Sequence, residues 1–251
     1  MFAVRAPHLN DLRFYNEQGA MRKKTIIQCA VCTMMIWLYA LAGFCTAYAS
    51  GSVLIDPGHG GSDKGVELTK RDSEADFTLD VARKIKANLA RKKAIKVILT
   101  RSDDRDLSIE ERKKIVSGSG ADLFVSLHIN AGFGITSSGY EIYFRGFEQK
   151  GQITPDSDNV VDDMIQTRYL NDSIRFSNLV EKEMGKIFAR QGRGLRGAPL
   201  AILDGLKMPA ILIELGFATN HKNKEILLEK SVKDRIAGAL SKSIEEYLES
   251  K

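Results

Sequence analysis

The sequence predicts a single α/β domain, a mostly parallel twisted β-sheet flanked by helices on both faces. Three observations carry that expectation. Short apolar runs of strand length recur, as in Val53-Leu54-Ile55, Leu123-Phe124-Val125 and Ala210-Ile211-Leu212-Ile213. Between them lie longer stretches of helical periodicity, and alternation of the two is the signature of βαβ units. The runs are continuously apolar rather than alternating, which suits strands covered on both faces.

Taken in order, Val53 to Asp56 is the first strand, followed by a loop through Gly58, Gly60, Gly61 and Gly65. From Ser73 the pattern turns helical, with Phe77, Val81, Ile85 and Leu89 on one face. Ile95 to Leu99 is a strand ending at Thr100-Arg101. Ser108 and Glu111 form a capping box that opens a helix to about Val116, and the Leu123 to Asn130 strand follows. Tyr140 to Phe144 reads as a short strand, and Ile174 to Arg190 as a helix with Leu179, Met184, Ile187 and Phe188 inward. Leu200 to Leu203 and Ala210 to Glu214 are two further strands. From Val232, the stripe Ile236, Leu240, Ile244 and Leu248 predicts a helix packed on the sheet. Residues 149–170 interrupt the pattern: they are polar, contain Pro155, and carry Asp156, Asp158, Asp162 and Asp163. They read as an insertion with a short helix near Val160 to Arg168.

The fold is expected over residues 50–251. Residues 21–49 read as a signal peptide, from the basic Arg22-Lys23-Lys24, the apolar run Thr25 to Cys45, and Ala47-Tyr48-Ala49. Met21 precedes the basic patch, so residues 1–20 read as an over-extended start, or else as a short N-terminal extension. The apolar run is also long enough for an uncleaved membrane anchor. Lipid attachment at Cys45 is disfavoured by the bulky Phe44 before it. Each alternative exports the remainder to the periplasm or cell envelope, and only this segment would meet a membrane.

Export alters the composition. Residues 1–49 hold five of the 37 bases and two of the 32 acids, which leaves 32 against 30, a net charge of +2. That balance does not call for nucleic acid. All three cysteines lie in residues 1–49, so the exported part has no disulfides and no thiolate metal site.

Chemistry concentrates where apolar runs end. His59 follows Ile55-Asp56-Pro57-Gly58, His128 ends Ser126-Leu127-His128, and Glu214 follows Ala210 to Ile213. Two histidines and a carboxylate at one sheet edge suit a metal site. The plainer reading of each histidine is a surface or satisfied core residue, and for His221, at a helix start, that reading prevails. A third ligand must be a carboxylate. Glu74 opens the helix after the glycine-rich loop, with Glu67 and Asp72 as competitors. Glu214 sits in an apolar run, where desolvation raises a carboxyl pKa toward that of a useful general base. A strand-end ion pair, for instance with Arg101, is the alternative.

These residues resemble one family. Ile55-Asp56-Pro57-Gly58-His59-Gly60-Gly61, Glu74 before Phe77-Thr78-Leu79, Leu99-Thr100-Arg101, Arg112, Ser126-Leu127-His128-Ile129-Asn130, Gly139-Tyr140-Glu141 and Pro209 to Asn220 are similar, in order, to the motifs of zinc-dependent N-acetylmuramoyl-L-alanine amidases. The resemblance runs from about Val53 to the C-terminus. It implies one catalytic Zn2+ held by His59, Glu74 and His128, with Glu214 as catalytic base. The implied substrate is peptidoglycan, cut between N-acetylmuramic acid and L-alanine of the stem peptide during wall remodelling or daughter-cell separation. Asp56, Arg101 and Asn130 would orient ligands or touch substrate, with ordinary turn and strand-end hydrogen bonding as their plainer role. The 149–170 insertion falls where some relatives carry a regulatory helix, so Asp156, Asp158, Asp162 or Asp163 would cap the metal until an activator protein withdraws it. The alternatives are a zinc peptidase that trims stem peptides and a wall-binding regulator without activity.

Overall fold

The computed structural model describes residues 28–30, 32–35, 51–91, 95–132, 134–146, 157–188 and 194–251. The chain forms two compact units, Met1–Tyr48 and Ala49–Lys251. In the first, residues 28–30 and 32–35 are helical and exposed. The rest of the expected leader, and all of residues 1–20, lie outside the described residues. Among the described residues no helix is long and apolar enough to cross a membrane.

The second unit runs β1 (Gly51–Pro57), α1 (Glu74–Ala90), β2 (Ile95–Leu99), α2 (Ile109–Ser119), β3 (Leu123–Asn130), β4 (Glu141–Arg145), α3 (Ser157–Met184), β5 (Leu195–Ala198), β6 (Ala210–Phe217), α4 (His221–Leu228) and α5 (Val232–Glu249). Its six strands form one sheet in the order β2-β1-β3-β6-β4-β5. β2, β1, β3 and β6 are mutually parallel, and β4 runs antiparallel to β6 while pairing parallel with β5. Two helix starts are capped as their sequences dictate. Ser73 and Asp76 exchange side-chain and backbone hydrogen bonds at α1, and Ser108 and Glu111 do the same at α2.

Strand side chains alternate between two cores, as the period-2 geometry of a sheet requires. Val53, Ile55, Val125, Leu127, Ile211 and Ile213 pack with Phe77 and Ile85 of α1, Phe176 and Val180 of α3, and Ile236 and Leu240 of α5. Leu54, Phe124 and Leu212 face the other way, onto Val116 of α2 and the connection Ile202, Leu203 and Leu206. The sheet is therefore covered on both faces, which is why its strands read as unbroken apolar runs.

The structure differs from the sequence expectation in two places. Leu200 to Leu203 is not a strand; it leads into a turn over residues 201–205, and buried Ile202 and Leu203 plug the second core. The strand is Leu195–Ala198, whose Arg and Gly hide its character. The insertion is also more regular than expected. The short helix near Val160 and the helix predicted from Ile174 are one 28-residue helix, α3, ending at Met184. No Pro or Gly interrupts it. Its front half carries no core-facing stripe because those side chains are largely exposed.

Candidate metal centre

The end of β1 is where the backbone departs from regular geometry. His59 is the one described non-glycine residue at positive φ, 57°, a left-handed conformation that such residues seldom adopt and that clusters at functional sites. Two neighbours must lack a side chain for this turn to close. A Cβ on Gly58 would stand 2.4 Å from Cε1 of His128, and one on Gly65 would stand 2.5 Å from Oε2 of Glu74.

The turn brings His59 against Glu74, the first residue of α1, and both against His128 on β3. Glu74 Oε1 lies 3.1 Å from Nε2 of His59 and 3.0 Å from Nδ1 of His128. The same oxygen accepts the backbone N–H of Ile129 at 2.9 Å, and Oε2 accepts that of Val66 at 3.0 Å. The two imidazoles meet edge to face with centroids 5.1 Å apart. Among the described residues these three form a group able to hold a metal ion, one ligand atom from each lying within 4.8 Å of the others. Glu67 and Asp72 do not join it.

Electrostatics agree with a cation site. Burial disfavours the Glu74 charge, but hydrogen bonds from His128 and His59 outweigh it and hold the carboxyl at about 2. The hydrogen bond to Glu74 raises His59 to about 9 against opposing burial, with Asp63 adding to it. The buried carboxylate thus favours positive charge at this point. Two imidazoles and a carboxylate in this arrangement suit a divalent ion with affinity for nitrogen and oxygen.

Glu214 stands beside this group. It pairs in register with His128 across β3 and β6, and with Glu141 across β6 and β4. Its Oε2 is buried with no hydrogen-bond partner among the described residues. Burial pushes its carboxyl up to about 7; His128 opposes the shift, while Glu74 and Glu141 add to it. A half-buried carboxylate with one unpartnered oxygen, next to a group able to hold a metal, is equipped to take a proton.

The remaining predicted residues hold the framework. Asp56 is 1% exposed and accepts from Arg112 Nη1 at 2.5 Å, Thr100 Oγ1 at 2.6 Å and Ser126 Oγ at 2.9 Å. Arg101 is fully buried and donates to the carbonyls of Pro57, Gly58 and Ala75, tying the turn to the start of α1. Neither presents a surface to substrate. Asn130 bridges Gly132 N–H and Glu141 Oε2. Asp162 and Asp163 are exposed on α3 and outside the metal-ligand group, and the side chains of Asp156 and Asp158 lie outside the described residues.

Three residues given no role from the sequence bear on the site. Asp63 Oδ2 lies 2.7 Å from Nδ1 of His59, the contact that fixes a ligand imidazole's orientation. Its spacing four residues after His59 in a glycine-rich turn is the signal that could have found it. Arg112 donates to the carbonyls of Pro57 and His59 as well as to Asp56. Glu141, 3% exposed, accepts from Tyr143 Oη at 2.8 Å and pairs with Arg196 at 3.4 Å.

Comparison with known proteins agrees with this geometry. Residues 53–246 match the family model described as N-acetylmuramoyl-L-alanine amidase. The chain is 26% identical over 217 residues to N-acetylmuramoyl-L-alanine amidase AmiC of Escherichia coli O6:H1, covering 78% of this chain and 52% of AmiC, so it spans about half that relative's length. The crystal structure of N-acetylmuramoyl-L-alanine amidase from Clostridium difficile 630 superposes with a TM-score of 0.64 at 30% identity, covering 81% of this chain and 99% of that one. The CwlD amidase of Clostridioides difficile, solved in complex with the GerS lipoprotein, superposes with a TM-score of 0.65 at 25% identity, over 80% of this chain and 100% of that one. With the fold, the ligand cluster and the matched span in agreement, this chain belongs to the N-acetylmuramoyl-L-alanine amidase family.

Proposed function

We propose that this chain is a zinc-dependent peptidoglycan hydrolase that cleaves the amide joining the lactyl group of N-acetylmuramic acid to L-alanine of the stem peptide. The observation that carries this reading is the placement of Glu214. Its buried, unpartnered Oε2 belongs to the residue directly opposite His128, a member of the metal-ligand group. His59, Glu74 and His128 would hold the ion, and Asp63 would set the His59 ring. Zinc in that place supplies a Lewis acid that polarises the scissile carbonyl and acidifies water. Glu214 takes the proton of the attacking water on Oε2 and delivers it to the departing L-alanine nitrogen, so one carboxyl serves as base and then acid. The leader-like residues 21–49 support export to the cell envelope, where this substrate lies.

Digestion of purified sacculi by residues 50–251 tests the reading. We expect free stem peptides with N-terminal L-alanine, no release in the presence of chelator, and recovery on adding zinc. Stems shortened at their C-terminus would instead identify a peptidase, and no zinc-dependent product would identify a wall-binding protein.

The front of α3 supports a second element of the proposal. Val160, Val161, Met164 and Ile165 are 54%, 60%, 68% and 40% exposed, beside Asp162 and Asp163. An apolar patch on a helix end that contributes nothing to the core suits a protein partner. A related amidase has been solved with a lipoprotein bound. We assign this end of α3 to an activator protein.

A further inference from the structure

A row of polar side chains crosses the same face of the sheet as the candidate site. His128 on β3, Glu214 on β6 and Glu141 on β4 are register neighbours in successive strands. Arg196 continues the row from β5, where it stands opposite Tyr143 and reaches back to Glu141 with Nη2 3.4 Å from Oε1. That ion pair occupies a small part of a five-donor guanidinium. Glu141 is almost fully buried and already accepts the Tyr143 hydroxyl, whereas the Arg196 side chain is 45% exposed. Arg196 is therefore a partly exposed cation held through one terminal nitrogen by a buried carboxylate, one side chain beyond the neighbour of Glu214.

The opposite flank of the site has the other sign. Asp63, Glu67, Asp72, Asp103, Asp104 and Asp106 outnumber the four exposed bases of the loops beyond β1 and β2, of which Lys64 pairs with Asp104 and Arg105 with Asp103, while Lys70 and Arg71 lie further along the first loop. An anionic substrate segment leaving Glu214 is repelled on that side and attracted toward β5.

We propose that Arg196 reads a free carboxylate on the stem-peptide residue that follows L-alanine, and so sets a preference for stems whose second residue is acidic. The inference rests on the amidase reading above. The second stem residue is a D-glutamate joined through its side chain, which leaves its α-carboxylate free unless amidated. Successive Cα atoms are about 3.8 Å apart, so that carboxylate lies roughly 7 Å from the scissile nitrogen. Neighbouring strands are about 4.8 Å apart, so the crossing from β6 over β4 to the Arg196 guanidinium is of the same order. A planar guanidinium can meet a carboxylate with two parallel hydrogen bonds, which a neutral amide cannot reciprocate.

The test compares two muramyl tetrapeptides, identical except that the second residue is D-isoglutamate in one and D-isoglutamine in the other. They are digested by the zinc-loaded protein and by Arg196→Gln and Arg196→Lys. The wild type is expected to favour the free carboxylate by about tenfold in kcat/KM, expressed mainly in KM. The ratio should fall to near one in Arg196→Gln and be intermediate in Arg196→Lys. A wild-type ratio near one overturns the inference whatever the variants do. So does an Arg196→Gln variant that loses activity on both substrates while keeping the wild-type ratio, the mark of a purely structural residue. Failure of the wild type to cleave either substrate would overturn the amidase reading, and this inference with it.

Discussion

Glu214 is a carboxyl whose burial carries a cost in stability. Its ordinary pKa of 4.5 is raised to about 7 in the fold, chiefly by burial. Between those values the folded state binds a proton that the unfolded chain has released, so stability falls as pH rises from 4.5 to 7 and stays reduced above it. A Glu214→Gln variant removes that loss. In chelator, urea unfolding should find it more stable than wild type at pH 8, by roughly 1–3 kcal/mol, and little different at pH 4. A difference that does not depend on pH would show that Glu214 is not the buried acid described. The same substitution should lower sacculus hydrolysis by about 10²-fold or more, with metal content unchanged. At this scale the site was partly legible in the sequence. His59, His128 and Glu214 stand out because each ends an apolar run, a pattern that periodicity exposes. Glu74 could not be separated from Glu67 and Asp72 by spacing, since only the fold places its Oε1 against both imidazoles. Asp63 leaves only a local trace, its spacing after His59, while Glu141 and Arg196 meet across strands, a contact that carries no sequence period.

Elements position these residues through buried struts rather than through the loop's own rigidity. Arg112, on the first turn of α2, is 6% exposed and holds the carboxylate of Asp56 and the carbonyls of Pro57 and His59 together. Its replacement by alanine leaves a carboxylate 1% exposed without its counter-ion. Breaking such a pair costs about 3–5 kcal/mol, which in a domain of this size lowers Tm by roughly 10 °C. Because Arg112 also anchors the His59 carbonyl, Arg112→Ala should bind zinc more weakly as well. Thermal unfolding with and without zinc measures both effects, and a melting temperature within two or three degrees (about 1 kcal/mol) of wild type would refute the strut. Element types are legible wherever a local signal exists: both capping boxes, Ser73 with Asp76 and Ser108 with Glu111, are spelled by residues three apart, although the sequence alone singles out only the second as a box. The sequence places β5 a few residues late because Leu200 to Leu203 looks more strand-like than Leu195 to Ala198. Pairing with β4 decides the outcome, and that is a tertiary effect.

On the scale of the whole molecule, α3 is both the least legible element and one that runs well beyond its own buried stripe. Its rear half packs Phe176, Val180 and Met184 against the sheet, while its front half leaves Val160, Val161, Met164 and Ile165 in solvent. A helix assembled only for stability would end where its buried stripe ends. The extension continues for about four turns past that point and keeps apolar residues where water meets them. If it holds the enzyme in check until a partner grips the patch, deleting residues 152–168 removes the restraint without touching the core. Sacculus hydrolysis by the deletion variant should then rise several-fold while its melting temperature stays within a few degrees of wild type. Replacing Val161 and Met164 by Ser should leave unstimulated hydrolysis as it was and weaken stimulation by an activator. Equal hydrolysis by the deletion variant and the wild type would separate the two ideas: the patch could still dock a partner, but it would not restrain the site.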